Sequence, residues 1–555
     1  MPDVMRISAA PESPLSFPAR VRTRDGVLLA TDVYLPGAPA SPDGTPGDTI
    51  LIRLPYDKSG VYTFIPLIAE YFGARGYRVV AQDVRGKFRS EGDALLFVNE
   101  VDDGYDTLEW IVRQPWSNGS VAMWGDSYYG YTQWAAAASG HPALKAIAPR
   151  VTGTDLGEPV LPAPGERTSG VEMGVTFLYP LTHFFEQDML AWEPDWTRRD
   201  FAAQAEEFMQ QAGRRGLSYD QWYPNPVLLP RFPEGDPFAG RSVPALQTIG
   251  WWDNCAPLSW RDVERIGRHP NWDAHHYLRI ESIDHEGFDL LDSDEDRVQE
   301  RTDDQIRRIL PRYLDPALEF FEVFVRGSGS AADIPRVSWN LAGTEGMRAS
   351  AAWPPAGVRT VSLYATPDET LSAERPEDAG TVRWVHDPAD PVPSSVPDAF
   401  SFLLYRPDEA PIGERTDVLR FDSEPVSTDV DLAGPVTARV RVVSDGPVMD
   451  CFVRVLDVAP DGTALRIARG QQQLRQATEP ATLHLDLGQV GYRLRAGHRI
   501  RVHVSSSDYP EFLPQTGTGA HPWTWGETRV TTQTLVVGGP DAFELTLPVL
   551  EGELP

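Results

Sequence analysis

The sequence has very little cysteine and a shortage of positive charge. Its 555 residues include two cysteines, Cys255 and Cys451, too few for a disulfide framework or a cysteine-based metal site. Lysine and arginine number 50 against 80 aspartates and glutamates, which gives a formal net charge of −30. Such an acidic surface repels the phosphate backbone of nucleic acids and anionic membranes. The composition therefore predicts neither nucleic-acid nor membrane partners.

Long apolar runs are also missing. No stretch approaches the roughly 20 apolar residues of a membrane-spanning helix. The first residues, 1–6, do not lead into the apolar segment of a signal peptide. These two absences predict a cytoplasmic protein. A hydrophobic content of 41% with 16 tryptophans predicts well-packed domains, and the chain length suggests about three of them.

Strands alternate with helices in the first part of the chain. Apolar runs at 49–53 and 77–82 predict buried strands, and helical spacing covers 64–74 and 99–114. Strands separated by helices of this length form a parallel sheet covered on both faces. The pattern resumes with apolar runs at 244–250 and 276–281 and a helix over 305–325.

Two other segments have a different character. Residues 152–240 are rich in proline, tryptophan and phenylalanine and contain acidic, helix-like stretches, which predicts an inserted cap. From residue 328 onward, short alternating runs such as 436–443, 451–458 and 499–504 are separated by glycine, proline and aspartate. That spacing is typical of a β-sandwich, so the C-terminal part should be all-β.

Ser127 lies between Gly125 and Gly130, directly after an apolar run and before a helical one. This arrangement predicts a nucleophile elbow, a sharp turn that needs small neighbours and presents the serine hydroxyl at a helix N-terminus. The motif departs from the usual Gly-x-Ser-x-Gly, because Tyr129 occupies the second glycine position. A buried small residue in an ordinary turn is the alternative.

An aspartate and a histidine follow in the chain order of an α/β-hydrolase triad. Asp253 comes just after the strand at 244–250, and His285 just after the strand at 276–281. Both would lie at the carboxyl edge of the sheet, where an aspartate can orient the imidazole that deprotonates a serine. The alternatives are a helix N-cap for Asp253 and a surface histidine for His285.

Further residues are candidates for the oxyanion hole and the substrate pocket. Tyr56 follows an early strand, so its phenol could donate to an oxyanion beside the backbone N–H of Tyr128. Taken alone, Tyr56 is better explained as a packed aromatic. Cys255 and the aromatics Phe177 and Tyr179 of the cap could line the pocket. A place as ordinary core residues explains all three at least as well.

With these residues in place, the sequence resembles the cocaine-esterase/X-prolyl dipeptidyl-peptidase family of serine hydrolases. The stretches that carry the resemblance are 53–58, 83–92, 124–134, 250–253, 434–436 and 497–501. The resemblance implies an α/β-hydrolase domain in two parts (1–151 and 241–327), an inserted helical cap (152–240) and a C-terminal jelly roll (328–555).

The same resemblance implies site roles. It makes Ser127 the nucleophile, Asp253 the acid and His285 the base, with Tyr56 and the Tyr128 amide in the oxyanion hole. It also suggests that Asp83 and Arg85 brace the sheet edge.

Two departures from the family pattern bear on these roles. The approach to the histidine is Ser-Ile-Asp-His, which makes His285 the weakest of the three assignments. Asn254, Cys255 and Ala256 follow the acid where amino-acid ester hydrolases of the family place carboxylates.

The sequence therefore predicts a serine hydrolase that cleaves carboxylic esters through an acyl-enzyme and needs no metal or cofactor. Its expected partner is a small-molecule ester or amide substrate, and assembly into a homo-oligomer is left open. The alternatives within the family are an X-Pro dipeptidyl peptidase and an amide or β-lactam acylase. An alternative from another class is a catalytically silent binding module.

Overall fold

The computed structural model describes residues 16–36, 45–157, 178–182, 192–224, 227, 229–286, 302–396 and 407–555. They fold as two units. The first takes in the described residues of 1–158, 179–192 and 214–338, and the second those of 159–178, 193–213 and 339–555. The boundaries of the four segments expected from the sequence stay predictions.

Strands and helices alternate in the first unit. Its strands are β1 (Ser16–Arg22), β2 (Leu28–Tyr34), β3 (Gly47–Leu54), β4 (Arg78–Asp83), β5 (Ser117–Asp126), β6 (Leu144–Arg150), β7 (Ala245–Gly250) and β8 (His276–Glu281). The helices of the described residues are α1 (Ile65–Gly73), α2 (Glu100–Val112), α3 (Ser127–Ala138), α4 (Tyr179–Thr182), α5 (Phe201–Ala212), α6 (Leu217–Asp220), α7 (Ala256–Ile266), α8 (Pro270–Asp273) and α9 (Asp303–Phe324). Short 3-10 turns lie at Pro233–Gly235, Ala331–Asp333 and Ala410–Glu414.

The strands of the first unit form a mixed sheet in the order β1-β2-β4-β3-β5-β6-β7-β8. The strands from β3 to β8 run parallel to one another, and β1 and β2 are antiparallel additions at one edge. Successive residues of β3 point to opposite faces. Ile50 and Ile52 pack in a cluster with residues of α1 and α9, whereas Leu51 packs in a second cluster with residues of α2. Helices therefore cover both faces, as the sequence predicted.

The parallel direction of these strands positions the candidate site. Ser127 directly follows β5, Asp253 comes three residues after the end of β7, and His285 four residues after the end of β8. Tyr56 follows the end of β3 in the same way. Because the carboxyl ends of parallel strands share one edge of a sheet, all four residues belong to that edge.

Antiparallel sheets make up most of the second unit. The remaining strands are β9 (Val337–Asn340), β10 (Met347–Ser350), β11 (Arg359–Ala365), β12 (Leu371–Ser372), β13 (Gly380–His386), β14 (Leu419–Asp422), β15 (Val430–Ser444), β16 (Val448–Val458), β17 (Ala464–Arg475), β18 (Ala481–Leu494), β19 (Arg499–Ser505), β20 (Thr531–Val537) and β21 (Glu544–Glu551). One sheet has the order β12-β11-β21-β15-β20-β13, with β18 also paired to β15, and the other has the order β14-β19-β16-β17. Inward-facing side chains such as Val440, Val453 and Leu485 form a fully buried core.

The fold class predicted from the sequence is confirmed, because an α/β-hydrolase domain is followed by an all-β domain. The segment between β6 and β7 contributes helices rather than strands in its described parts. One of them, α5, packs within the second unit, where Phe201 stacks on Trp523 with ring centroids 5.7 Å apart. No helix of the described residues has the length and apolarity that a membrane span requires. The cytoplasmic location stays a prediction.

Candidate active site

The turn between β5 and α3 has the geometry of a nucleophile elbow. Ser127 has a φ of +52°, a left-handed conformation that a non-glycine residue adopts only at a cost. A Cβ atom on Gly125 would lie 2.1 Å from the ring of Tyr129, and one on Gly130 would lie 2.6 Å from the Thr152 methyl group. The chain therefore needs glycine at 125 and 130, whereas position 129 holds the tyrosine that packs beside the turn.

His285 bridges the other two residues of the predicted triad. Its Nδ1 lies 2.7 Å from Asp253 Oδ1, and its Nε2 lies 3.0 Å from Ser127 Oγ. Asp253 Oδ1 also accepts a hydrogen bond of 3.1 Å from the backbone N–H of Cys255. The structure thus brings the three residues together within hydrogen-bonding distance. The loop after β7, which carries Asp253, and the loop after β8, which carries His285, lie very close together. A Cβ on Gly250 would lie 2.6 Å from the carbonyl oxygen of Ile283.

Charge around the imidazole favours its protonated form. Burial lowers the pKa of His285, but Cys255 and Asp253 outweigh it through their charges and hydrogen bonds, so the pKa lies well above its ordinary value. A base in this environment can hold a proton taken from the serine hydroxyl. The Asp253 carboxylate, whose side chain is fully buried, supplies a compensating charge at the far side of the ring.

The phenol of Tyr56 points to the same place. Burial raises its pKa, while hydrogen bonds with Tyr179 and Ser127 and the charge of His285 oppose the rise. Its hydroxyl lies 2.9 Å from the hydroxyl of Tyr179, the first residue of α4. A phenol with a raised pKa remains protonated at neutral pH and so can donate a hydrogen bond. Tyr179, expected as a pocket-lining residue, contacts the candidate oxyanion donor, and its place in the pocket stays a prediction.

Two further predicted residues are Tyr128 and Phe177. The Tyr128 side chain is directed into the core, where its hydroxyl donates to Glu100 Oε1 at 2.9 Å and accepts from the Phe97 N–H at 2.9 Å. These bonds hold the first turn of α3, and the role predicted for Tyr128 involves its backbone N–H. Phe177 lies outside the described residues.

Sequence reasoning missed a buried ion pair in the segment that follows Tyr56. Lys58 Nζ lies 2.8 Å from Asp83 Oδ2, and both side chains are almost fully excluded from solvent. Burial raises the pKa of Asp83 to about 6, against the charge of Lys58. Arg85, by contrast, pairs with Asp103 and Asp25 at 2.6 Å each. Lys58 and Asp83 both belong to stretches that carry the family resemblance. Their place in these stretches was the sequence signal that could have pointed to the ion pair.

A second buried network is centred on Asp126, the residue before Ser127. Arg150 Nε donates to Asp126 Oδ1 at 3.0 Å, and the Tyr313 hydroxyl donates to Asp126 Oδ2. Burial raises the pKa of Asp126, and the charge of Arg150 opposes this. Tyr313 belongs to α9, 187 residues away from Asp126 along the chain. No local pattern in the sequence could have predicted this contact.

Among the described residues, Asp253, Cys255 and His285 also form a group that could hold a metal ion, with ligand atoms within 4.8 Å of one another. Cys255, expected as a pocket-lining residue, therefore lies directly beside the imidazole.

Comparison with known proteins identifies the family of the chain. Residues 25–285 match the model of the X-Pro dipeptidyl-peptidase (S15) family, and residues 330–543 match the X-Pro dipeptidyl-peptidase C-terminal non-catalytic domain. Cocaine esterase from Rhodococcus sp. (strain MB1 Bresler) is 30% identical over an alignment 560 residues long. The alignment covers 90% of this chain and 92% of that protein. The chain belongs to the S15 family. The resemblance inferred from the sequence is confirmed.

Two solved structures align with almost all of the chain. An aminopeptidase from a marine sediment Thaumarchaeota archaeon has a TM-score of 0.78 at 20% identity, and an alpha-amino acid ester hydrolase has a TM-score of 0.75 at 24% identity. Each comparison covers 99% of both chains. At these identities the likeness shows a common fold. As an S15 member the protein is a serine hydrolase.

Proposed function

We propose that this S15 protein hydrolyses carboxylic esters through an acyl-enzyme formed on Ser127. The observation that carries the proposal is the position of His285, with one ring nitrogen 3.0 Å from Ser127 Oγ and the other 2.7 Å from Asp253 Oδ1. A serine hydroxyl is a weak nucleophile at its own pKa and needs a base at this distance. The base in turn needs an acceptor that fixes its tautomer.

Acylation begins when Ser127 Oγ attacks the ester carbonyl carbon and His285 Nε2 takes the hydroxyl proton. The imidazolium that forms is stabilised by Asp253, whose buried carboxylate accepts from Nδ1–H. His285 then gives the proton to the leaving alcohol as the carbon–oxygen bond breaks. In deacylation, water attacks the acyl carbonyl, His285 removes its proton, and Ser127 leaves with that proton as the carboxylic acid departs.

The oxyanion of each tetrahedral intermediate is held by two donors, the Tyr56 hydroxyl and the Tyr128 backbone N–H. Two observations support this proposal: Tyr56 follows β3, and Tyr128 is the second residue of α3. The orphan N–H groups of a helix N-terminus favour negative charge. Burial keeps the Tyr56 phenol protonated and therefore able to donate.

One relative that covers 90% of the chain is named a cocaine esterase, and this supports ester cleavage over peptide cleavage. The residues just after the acid, Asn254, Cys255 and Ala256, carry no charge that would pair with a peptide α-ammonium group. The family model nevertheless takes its description from an X-Pro dipeptidyl peptidase. The decisive experiment must therefore offer both kinds of substrate.

That experiment compares p-nitrophenyl acyl esters of increasing chain length with Gly-Pro-p-nitroanilide. Wild type should cleave the esters and leave the anilide intact, and Ser127→Ala should cleave neither. Ser139→Ala, which changes a serine at the opposite end of α3, serves as the matched control and should retain ester turnover. Rapid anilide cleavage would assign a peptidase, and ester turnover in Ser127→Ala would exclude Ser127 as the nucleophile.

A further inference from the structure

A thiol, an imidazole and a carboxylate meet beside Ser127. The ligand atoms of Asp253, Cys255 and His285 all lie within 4.8 Å of one another. Asp253 and Cys255 come from the short segment between β7 and α7, and His285 from the loop after β8. Zinc takes sulfur, nitrogen and carboxylate-oxygen ligands of these kinds.

We propose that Asp253, Cys255 and His285 form an inhibitory site for Zn²⁺ or another thiophilic divalent cation. Binding of the cation is independent of the function proposed above, whereas the inhibition rests on it. The ion is an inhibitor of the reaction and takes no part in turnover.

The carboxylate has coordination capacity left over. Asp253 Oδ1 already receives hydrogen bonds from His285 Nδ1 and the Cys255 N–H. Asp253 Oδ2 is buried and has no hydrogen-bond partner within the described part of the chain. A buried oxygen without a partner is uncommon and costly. A cation bound at the cluster would provide one.

The separations suit a zinc ion after small side-chain rotations. Zinc bonds of about 2.0–2.3 Å in tetrahedral geometry place neighbouring ligand atoms about 3.5 Å apart. The separations run from 2.7 Å between His285 Nδ1 and Asp253 Oδ1 to at most 4.8 Å, so they must change by roughly 1 Å, which small side-chain rotations can supply. Three protein ligands leave a fourth position for water, as in open zinc sites.

Charge favours occupation by a divalent cation. Cys255 loses its thiol proton to solvent on binding, so one thiolate and one carboxylate balance the two positive charges of the ion. The site is only 2% exposed at Cys255, so the charges compensate each other in a desolvated place. The net charge of −30 attracts cations to the protein as a whole.

Binding removes the base whichever ring nitrogen of His285 is used. If the ion takes Nε2, the lone pair that faces Ser127 is occupied. If the ion takes Nδ1, the ring proton must move to Nε2, which then cannot accept the serine proton. Ser127 is left without an acceptor in both cases, and acylation stops.

The test measures metal binding and inhibition separately. Ser127→Ala, which cannot turn over substrate, is titrated with Co²⁺ as a spectroscopic substitute for Zn²⁺. One equivalent should produce a thiolate-to-cobalt charge-transfer band, and added Zn²⁺ should displace it. In wild type, Zn²⁺ should inhibit ester hydrolysis, and a chelator should restore the rate.

The two cysteines provide matched variants. Cys255→Ser and Cys255→Ala in the Ser127→Ala background should lose the cobalt–thiolate band, whereas Cys451→Ala, in the core of the β domain, should retain it. With Ser127 present, each Cys255 variant is compared with its own metal-free rate and should need at least about 10-fold more Zn²⁺ for half inhibition. Circular dichroism checks that each variant is folded.

The proposal is overturned if folded Ser127→Ala shows no cobalt–thiolate band, if the band survives in both Cys255 variants, or if their zinc sensitivity equals that of wild type. Because the cobalt titration uses an inactive variant, absence of ester turnover would count against the proposed function and leave the binding result intact.

Discussion

Lys58 Nζ and Asp83 Oδ2 form an ion pair of 2.8 Å in the interior of the hydrolase domain, where the two side chains are 1% and 0% exposed. The pair ties the segment after β3 to the last residue of β4. Tyr56 is two residues before Lys58. The ion pair therefore fixes the loop from which the candidate oxyanion donor projects.

Removal of one partner should be far more damaging than removal of both. Lys58→Met leaves the Asp83 carboxylate buried without its ammonium partner, which should lower the free energy of unfolding by about 3–5 kcal/mol. The double variant Lys58→Met/Asp83→Asn removes the Asp83 charge and leaves only Asp32, whose Oδ2 is 3.5 Å from Lys58 Nζ, without that ammonium partner, so it should recover much of this loss. Urea unfolding of the two variants and wild type measures the difference. Equal stability of the single and double variants would contradict a compensated buried pair.

The sequence was sufficient to find the candidate triad but not the groups that hold it. Ser127, Asp253 and His285 were found because each follows an apolar strand, and parallel strands bring such positions to one edge. Tyr179 and Tyr56 are 123 residues apart, and Tyr313 and Asp126 are 187 apart. Contacts of this kind depend on tertiary packing, which has no counterpart in local periodicity.

The same limit applied to the all-β domain. Alternating runs predicted that strands exist near β15, β16 and β19, and they do. The pattern did not predict that β15 would pair with β18, β20 and β21. Period-two alternation tells which face of a strand is buried and carries no information on its neighbour.

Tyr56→Phe should separate catalysis from binding. Loss of an oxyanion donor lowers kcat by about 10²–10³-fold and leaves KM nearly unchanged, because the hydrogen bond forms fully only in the transition state. Tyr179→Phe removes the hydroxyl 2.9 Å from that of Tyr56 and leaves the donor itself in place, so it should cost less than about 10-fold. Steady-state kinetics on a p-nitrophenyl ester measures both. A larger loss in Tyr179→Phe than in Tyr56→Phe would contradict the assignment.

Asp450 should make the protein less stable as the pH rises. Burial raises the pKa of this carboxyl to about 7, and Gln473 Nε2 donates to its Oδ1 at 3.2 Å. In the unfolded chain the pKa of this carboxyl is about 3.9. The folded state therefore binds more protons between about pH 4 and pH 7, and the free energy of unfolding falls across that interval by up to about 1.4 kcal/mol per pH unit.

Asp450→Asn keeps an oxygen acceptor for Gln473 and removes the ionisation. Its thermal midpoint should exceed that of wild type at pH 8, and the advantage should shrink at pH 5. Glu527→Gln, an exposed acid in the same domain, should show no such divergence. Parallel thermal scans at the two pH values make the measurement. A constant difference between Asp450→Asn and wild type would show that the carboxyl ionises alike in the folded and unfolded states.

The elbow should reject even the smallest side chain at position 125. Gly125 has a φ of +152°, and an added Cβ would lie 2.1 Å from the Tyr129 ring, which packs edge-on against Tyr56. Gly125→Ala must therefore displace Tyr129 or the turn that carries Ser127. Ester turnover should fall by about 100-fold, because a small misplacement of a reacting group costs about this much.

Gly140, past the other end of α3, provides the control. It also has a positive φ, +72°, but an added Cβ meets nothing within 4 Å. Gly140→Ala should thus cost only the backbone strain of about 1–2 kcal/mol and keep its activity when folded. Thermal stability and kcat/KM of the two variants separate the effects, and equal loss of activity in both would mean that strain alone, rather than the contact with Tyr129, requires glycine in the elbow.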